Sequence, residues 1–353
     1  MAYSPAVKII DENGAAYGVK HISNKMRVAS TPYGYDVAEG NIADHEAFGI
    51  IGYTPVMTTV RSDIWSAAGA YVWPAAEMQM ELHSSENTND IATVIKSGTA
   101  SGGSTTTLID VAKDFTAATA VAVGDCVILD GTDEWGYVTS LTGTTQLNIA
   151  GGFSEGGSAS GQAYRVVDYS STSGAHVVLL DYLDDAFAEH RELIICNGTS
   201  DTNTTATDIY RIQGIHVVAA GSGNAPSGNL SIRETDAAPT YGYITAGYTE
   251  SRAIIYTVPA AKTLYITDIR MGWADDTNQI QFARLTLRAN RIHNHDILTG
   301  RIFSPFVELL CSNATVNAEL QFPYAMTAGT DIIAGGIATS AGTATAVLRG
   351  WIE

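Results

Sequence analysis

The sequence predicts an all-β protein: β-sandwich or jelly-roll-like domains, with a small barrel-like β-domain inserted into one of them. Three observations carry this. Two stretches alternate strictly with period two. In Glu77–His83, Met78, Met80 and Leu82 oppose Glu77, Gln79, Glu81 and His83, and in Ala283–Ala289, Ala283, Leu285, Leu287 and Ala289 oppose Arg284, Thr286 and Arg288. That is the pattern of a half-buried strand. Short strand-like runs recur about every ten residues, divided by glycine-bearing turns, as in a sandwich. The composition is 45% apolar and 16% charged, with 34 glycines. The charged share falls below the usual quarter, which suits broad buried sheet faces joined by many turns.

A chain of 353 residues has room for two or three domains. Residues 1–48 have weak periodicity and read as an irregular N-terminal arm, draped over a domain or docked on a neighbouring subunit. Gly49–Asp90 holds Trp65, Tyr71 and Trp73, and leads into the alternating run at Glu77. Its pattern breaks off after Asp90 and resumes near Ser171. Residues 49–95 and 171–235 are therefore expected to form one split β-domain, interrupted by an inserted domain at 96–170. Between two glycine-rich loops the insert offers strands at Thr106–Asp110, Cys126–Leu129, Gly136–Leu141 and Gln146–Ile149, with a last strand in AYRVVD. Asp130-Gly131 and Gly124-Asp125 supply tight turns. Removing the insert and joining Ile95 to Ser171 is expected to leave a soluble, folded remainder. Residues 236–353 carry the cleanest alternation and read as a C-terminal β-sandwich.

Charge excludes some partners. The chain has 19 basic and 37 acidic residues, a net charge of −18. Free binding to nucleic acid is not expected, because its strength comes from lysine and arginine. Ser251–Glu353 carries 8 basic and 8 acidic residues and Met1–Phe48 carries 4 and 6, so 16 of the net negative charges fall within Gly49–Glu250. No run of about 18 apolar residues suggests a membrane span, and the N-terminus does not read as a signal peptide. Cys126, Cys196 and Cys311 are widely spaced, match no metal or redox motif and read as buried reduced thiols.

Candidate chemistry is thin. His293-Asn294-His295 lacks the ββα context of a nuclease. GSGNAPSG has no following lysine or helix and is not a phosphate loop. Asp133/Glu134 and Asp275/Asp276 are adjacent carboxylates, which a strand would point to opposite faces. Asp181, Asp184 and Asp185 with His190 are rich in oxygen but match no calcium loop, so they read as a solvated hairpin end. No catalytic residue, cofactor or metal site is expected.

A resemblance adds to this. Asp63-Ile64-Trp65, Trp73, Ser84-Ser85, Gly174-Ala175, Leu183-Asp184 and Glu192–Gly198 resemble the motifs of a family of tailed-bacteriophage virion proteins. The segment VPAAKT resembles the Val-Pro-Ala-Gly-Lys-Thr strand of the same proteins, with Ala261 in place of the glycine. The family implies a virion component without catalysis, made in the host cytoplasm. Its partners would be the major capsid protein or neighbouring structural subunits, and copies of itself, with a trimer implied by the resemblance. The expected function is capsid decoration, cement or vertex protein. The alternative is a head- or tail-fibre-type receptor- or glycan-binding protein, in which Trp65, Tyr71, Trp73 and Trp135 would stack on sugars. Arginine is favoured at interfaces, so Arg284 and Arg288, on the outward face of the strand at 283–289, and Arg291 just beyond are the candidate partner-binding residues.

Overall fold

The computed structural model describes short strands at Ile9–Ile10, Ala16–Tyr17, Lys20–Ile22 and Lys25–Arg27, and from Asp44 onward every residue except 236–237, 276–280, 291–302 and 313. Most of the expected arm, together with Arg291, the His293–His295 triplet and Asp276, lies outside the described residues. The described chain is all-β, with antiparallel sheets and no helix.

The C-terminal sandwich packs two sheets around one core. One sheet has the order Ala314–Thr327, Thr263–Asp275, Gly342–Ile352, Glu46–Met57; the other has Ile255–Thr257, Asp331–Ala338, Ala283–Asn290, Phe303–Cys311. Ser62–Asp63 adds to the second by pairing with Gly335 and Gly336. Alternation fills the core: Ile269, Met271 and Trp273 from one sheet meet Leu285, Leu287 and Ile332 from the other. Ala283, Leu285, Leu287 and Ala289 all point inward, as their period predicts.

The expected boundaries do not coincide with the sheets. Glu46–Met57, assigned by sequence partly to the arm and partly to the split domain, lies along Gly342–Ile352 and is an edge strand of the C-terminal sandwich. Thr240–Ile244 pairs with Leu230–Glu234 and so completes the split unit beyond residue 235. Local alternation says that a segment is a strand; it does not say which distant strand it joins.

The split unit is a second sandwich. A three-stranded sheet, Glu189–Ile195, Ala175–Leu183, Arg211–Ala220, faces a four-stranded one, Thr202–Asn203, Met80–Ser84, Leu230–Glu234, Thr240–Ile244. Their core includes Met80, Leu82, Val178, Leu180, Ile194 and Ile232. Glu81 departs from the expected polar-out alternation. It is buried at 4% exposure because Arg233 Nε on the neighbouring strand donates to it at 2.7 Å.

Asp90 stands where the chain leaves this unit, and its carboxylate is fully buried. It accepts from Ser84 Oγ (2.6 Å) and from the backbone N–H groups of Ala175, Ser227 and Gly228 (2.8 Å each). Both sides of the interruption and the 227–228 turn are thus held on one side chain. A buried carboxylate is tolerated only with such a full set of donors. Gly174 is required here, since a Cβ would sit 2.1 Å from Asp90 Oδ1.

The insert forms a seven-stranded sheet in the order Val94–Thr99, Ala163–Val167, Cys126–Leu129, Glu134–Thr142, Gln146–Ile149, Thr107–Ile109, Gly102–Gly103. It curls around Leu108, Phe115, Leu129, Leu147 and Val166 but is not closed into a barrel by a ladder. Its entry and exit strands pair with each other, Val94 opposite Val167. The insert is docked rather than merely tethered. Cys126, Ile128 and Val167 pack with Val177, Leu179, Leu193 and Ala219, on the outer face of the three-stranded sheet.

Candidate functional site

The aromatic segment that dominates Gly49–Asp90 fills the joint between the two sandwiches. Trp65 and Tyr71 are buried with Ile255 and Ile333, and Trp73 packs against them half-buried. Tyr71 lies edge-on to Trp65 and to Trp73, 5.1 Å from each at 88°, and Trp73 stacks on Phe303. The Tyr71 hydroxyl donates to the Tyr241 carbonyl at 3.0 Å, and burial pushes its ionisation well above the ordinary phenol range. Trp135, on the insert, is half-buried where the insert docks on the split unit. Trp65 and Tyr71 are thus spent on packing the joint, and Trp73 and Trp135 are partly buried at contacts between units.

One buried ion pair crosses the same joint, and a second lies beside it within the C-terminal sandwich. Arg211, fully buried on the split unit, donates through Nε to Asp331 of the C-terminal sandwich at 3.0 Å, and through Nη1 to the Pro74 and Tyr210 carbonyls. Thr257 Oγ1 also donates to Asp331, at 2.6 Å. The guanidinium lies over the Tyr210 ring at 3.8 Å. Asp63, also buried, accepts from the Tyr71 N–H (2.9 Å), Arg61 Nη2 (3.0 Å) and Arg288 Nη2 (3.1 Å).

This separates the candidate arginines. Arg288 is committed within the chain to Asp63, and burial with Arg61 nearby depresses its pKa; its expected role as an outward partner contact is corrected. It shares that side of the sheet with Gly335, whose missing Cβ leaves room for the Asp63 carboxylate and the Arg61 guanidinium. Arg284, two periods of the alternation away, is open. Its only ion pair among the described residues is a long 3.9 Å contact with the exposed Glu308. Cross-strand register places Leu310 on one side of it and Ile337 on the other, 65% and 37% exposed. Phe282, two residues before Arg284, is 42% exposed. The result is an apolar row with an arginine at its centre on the outer face of the C-terminal sandwich. Arg291 falls outside the described residues.

The acidic hairpin lines a polar cleft of about 500 Å³ between the sandwiches, with Glu46 and Lys262 on one side and Asp181, His190, Arg191 and His216 on the other. Several of its charges are paired: Asp184 with His190 at 3.1 Å, Asp181 with His216 at 3.6 Å, and Arg191 with Glu155 of the insert. Burial raises the Asp181 pKa, with His216 and Arg191 opposing the rise. Among the described residues no group of three or more His, Cys, Asp or Glu side chains is placed to hold a metal ion. Asp133 and Glu134 serve loops separately: Asp133 accepts from the Leu193 N–H, and Glu134 from the Gly157 N–H at 2.9 Å. The three cysteines are buried and unpaired by disulfides, and burial pushes the Cys126 thiol up to about 12, so none is an activated nucleophile.

Comparison with family models, with curated proteins and with solved structures finds no match to the chain. One sequence motif gains a physical reading from the backbone. Ala261, which stands where the resembled strand has glycine, has a φ of +57°, the left-handed region that glycine occupies without strain. Leu310 and Ile337 were missed in the sequence, although Leu309-Leu310 breaks the alternation of its strand and must turn one leucine outward.

Proposed function

We propose that this chain is a non-enzymatic structural protein of a tailed-phage virion, a decoration, cement or vertex protein that stabilises the head by self-assembly and by contact with neighbouring subunits. The row Phe282, Arg284, Ile337 and Leu310 carries the reading. Contiguous exposed apolar side chains mark interaction surfaces, and an arginine among them gives such a surface a directional contact for a partner carboxylate. The row lies on the neutral, C-terminal part of the chain, while the excess negative charge is carried by Gly49–Glu250. Subunits that meet through the C-terminal sandwich keep their acidic parts apart and in solvent, where a Debye length of about 10 Å screens them. The phage assignment itself is supported by the short motifs, by the place of Trp65 and Trp73 in the buried joint, and by the left-handed backbone at Ala261.

Light scattering on the purified chain tests the assembly. The expected mass is a multiple of the single chain, three by the resemblance, falling to one in Leu310→Glu and in Arg284→Glu. A monomer at high protein concentration, or an oligomer untouched by both substitutions, contradicts the proposal.

A further inference from the structure

The docked insert creates a second concavity that the assembly reading does not use. Where the insert meets the edge of the three-stranded sheet, a groove of about 270 Å³ opens between Gly124, Tyr137 and Tyr169 on the insert and Val217, Asn224 and Thr249 on the split unit. None of the residues lining it is charged, in a chain with 56 charged side chains among its 19 basic and 37 acidic residues. The central cleft between the sandwiches, by contrast, is lined by charges of both signs.

The two tyrosine rings line this hollow yet remain 40% and 39% exposed. The first is also held in place. The Tyr137 hydroxyl donates to the Val218 carbonyl across the interface, so its ring is fixed rather than free to turn. The Tyr169 N–H donates to Asp125 at 3.0 Å, and its ring lies 3.7 Å from the position a Cβ would take on Gly124, a residue at φ +99°. Asn224 and Thr249, both exposed, line the groove from the other unit and bring an amide and a hydroxyl to it. Two exposed aromatic rings, one of them anchored, with a few neutral polar groups and no charge define a ligand that is apolar on one face and rich in hydroxyls at its rim.

We propose that this groove binds a neutral saccharide, with a pyranose ring laid against Tyr169 and Tyr137 and its hydroxyls hydrogen-bonded to Asn224 and Thr249. The site exists only while the insert is docked, because each wall belongs to a different unit. It is independent of the arginine row, which lies on the C-terminal sandwich.

The test is saturation-transfer NMR on the intact chain, with methyl glucoside, methyl galactoside and N-acetylglucosamine as neutral probes and glucuronic acid as the charged one. The expected result is transfer to the ring protons of at least one neutral probe and none to glucuronic acid. Affinity should fall at least tenfold in Tyr169→Ala and in Asn224→Gly, the latter keeping the left-handed backbone at φ +54° free of strain, and stay unchanged in Arg284→Ala. No transfer to any neutral probe, equal transfer to glucuronic acid, or binding that survives both groove substitutions overturns the proposal.

Discussion

Asp331→Ala should loosen the joint between the two sandwiches more than any surface change. Arg211 is 0% exposed and Asp331 1%. The substitution removes the acceptor of the 3.0 Å bond from Arg211 Nε and of the 2.6 Å bond from Thr257. The guanidinium is left in the interior with only the Pro74 and Tyr210 carbonyls as acceptors. Breaking a buried pair from one side costs about 3–5 kcal/mol, much of it the stranded charge. A chain of several units does not unfold in one step, so the quantity to follow is the first transition in differential scanning calorimetry. At about 2–4 °C per kcal/mol, the first midpoint should drop by roughly 6–20 °C. Hydrogen exchange should quicken at Ile255–Thr257 and Arg211–Gln213. The double variant Arg211→Met, Asp331→Leu should recover most of the loss, since apolar replacement of a buried pair is often neutral. A drop under about 2 °C for Asp331→Ala, or a double variant as unstable as the single one, would refute the reasoning.

Three further outcomes follow from the same geometry. Asp90→Ala strands four donors at the mouth of the insert and should lower stability by about 3–5 kcal/mol, read by urea unfolding; a loss under about 1 kcal/mol would mean that the four hydrogen bonds do not act together. Ala261→Gly should raise stability by about 0.5–1 kcal/mol, because relief of the left-handed alanine outweighs the entropy of glycine; a loss measured in the same titration would contradict this. Deleting the insert should leave a folded remainder with its own core, but one that self-associates through the uncovered Val177, Leu179, Leu193 and Ala219. Light scattering should report association beyond that of the intact chain, lost when Leu179 and Leu193 are also changed to Lys, and a deletion product with the same number of subunits as the intact chain would show that the docking face is not sticky.

Local pattern carried the strands well. Cys126–Leu129 and Gln146–Ile149 fall where their residues place them, and the strand read at Ala283–Ala289 extends only to Asn290. Pairing between distant segments was not legible. Glu46–Met57 looks like any extended run, and only its ladder with Gly342–Ile352 assigns it to the C-terminal sandwich. The same holds for the candidate arginines. Arg284 and Arg288 stand in equivalent positions of one alternating strand, yet Arg288 is claimed by a carboxylate 225 residues away in sequence while Arg284 is not. The aromatic stretch announced its importance through its density of rings. That it serves as a joint rather than a binding surface follows only from the sheets on either side of it.

The proposal that this chain is a virion component is met most directly by immunogold electron microscopy, on tailed-phage particles purified from a lysate in which the chain is produced. Antibody raised against the purified chain should decorate the head in a regular pattern, and the antigen should sediment with the particles. Unlabelled particles, with the antigen left in the soluble fraction, would contradict the account.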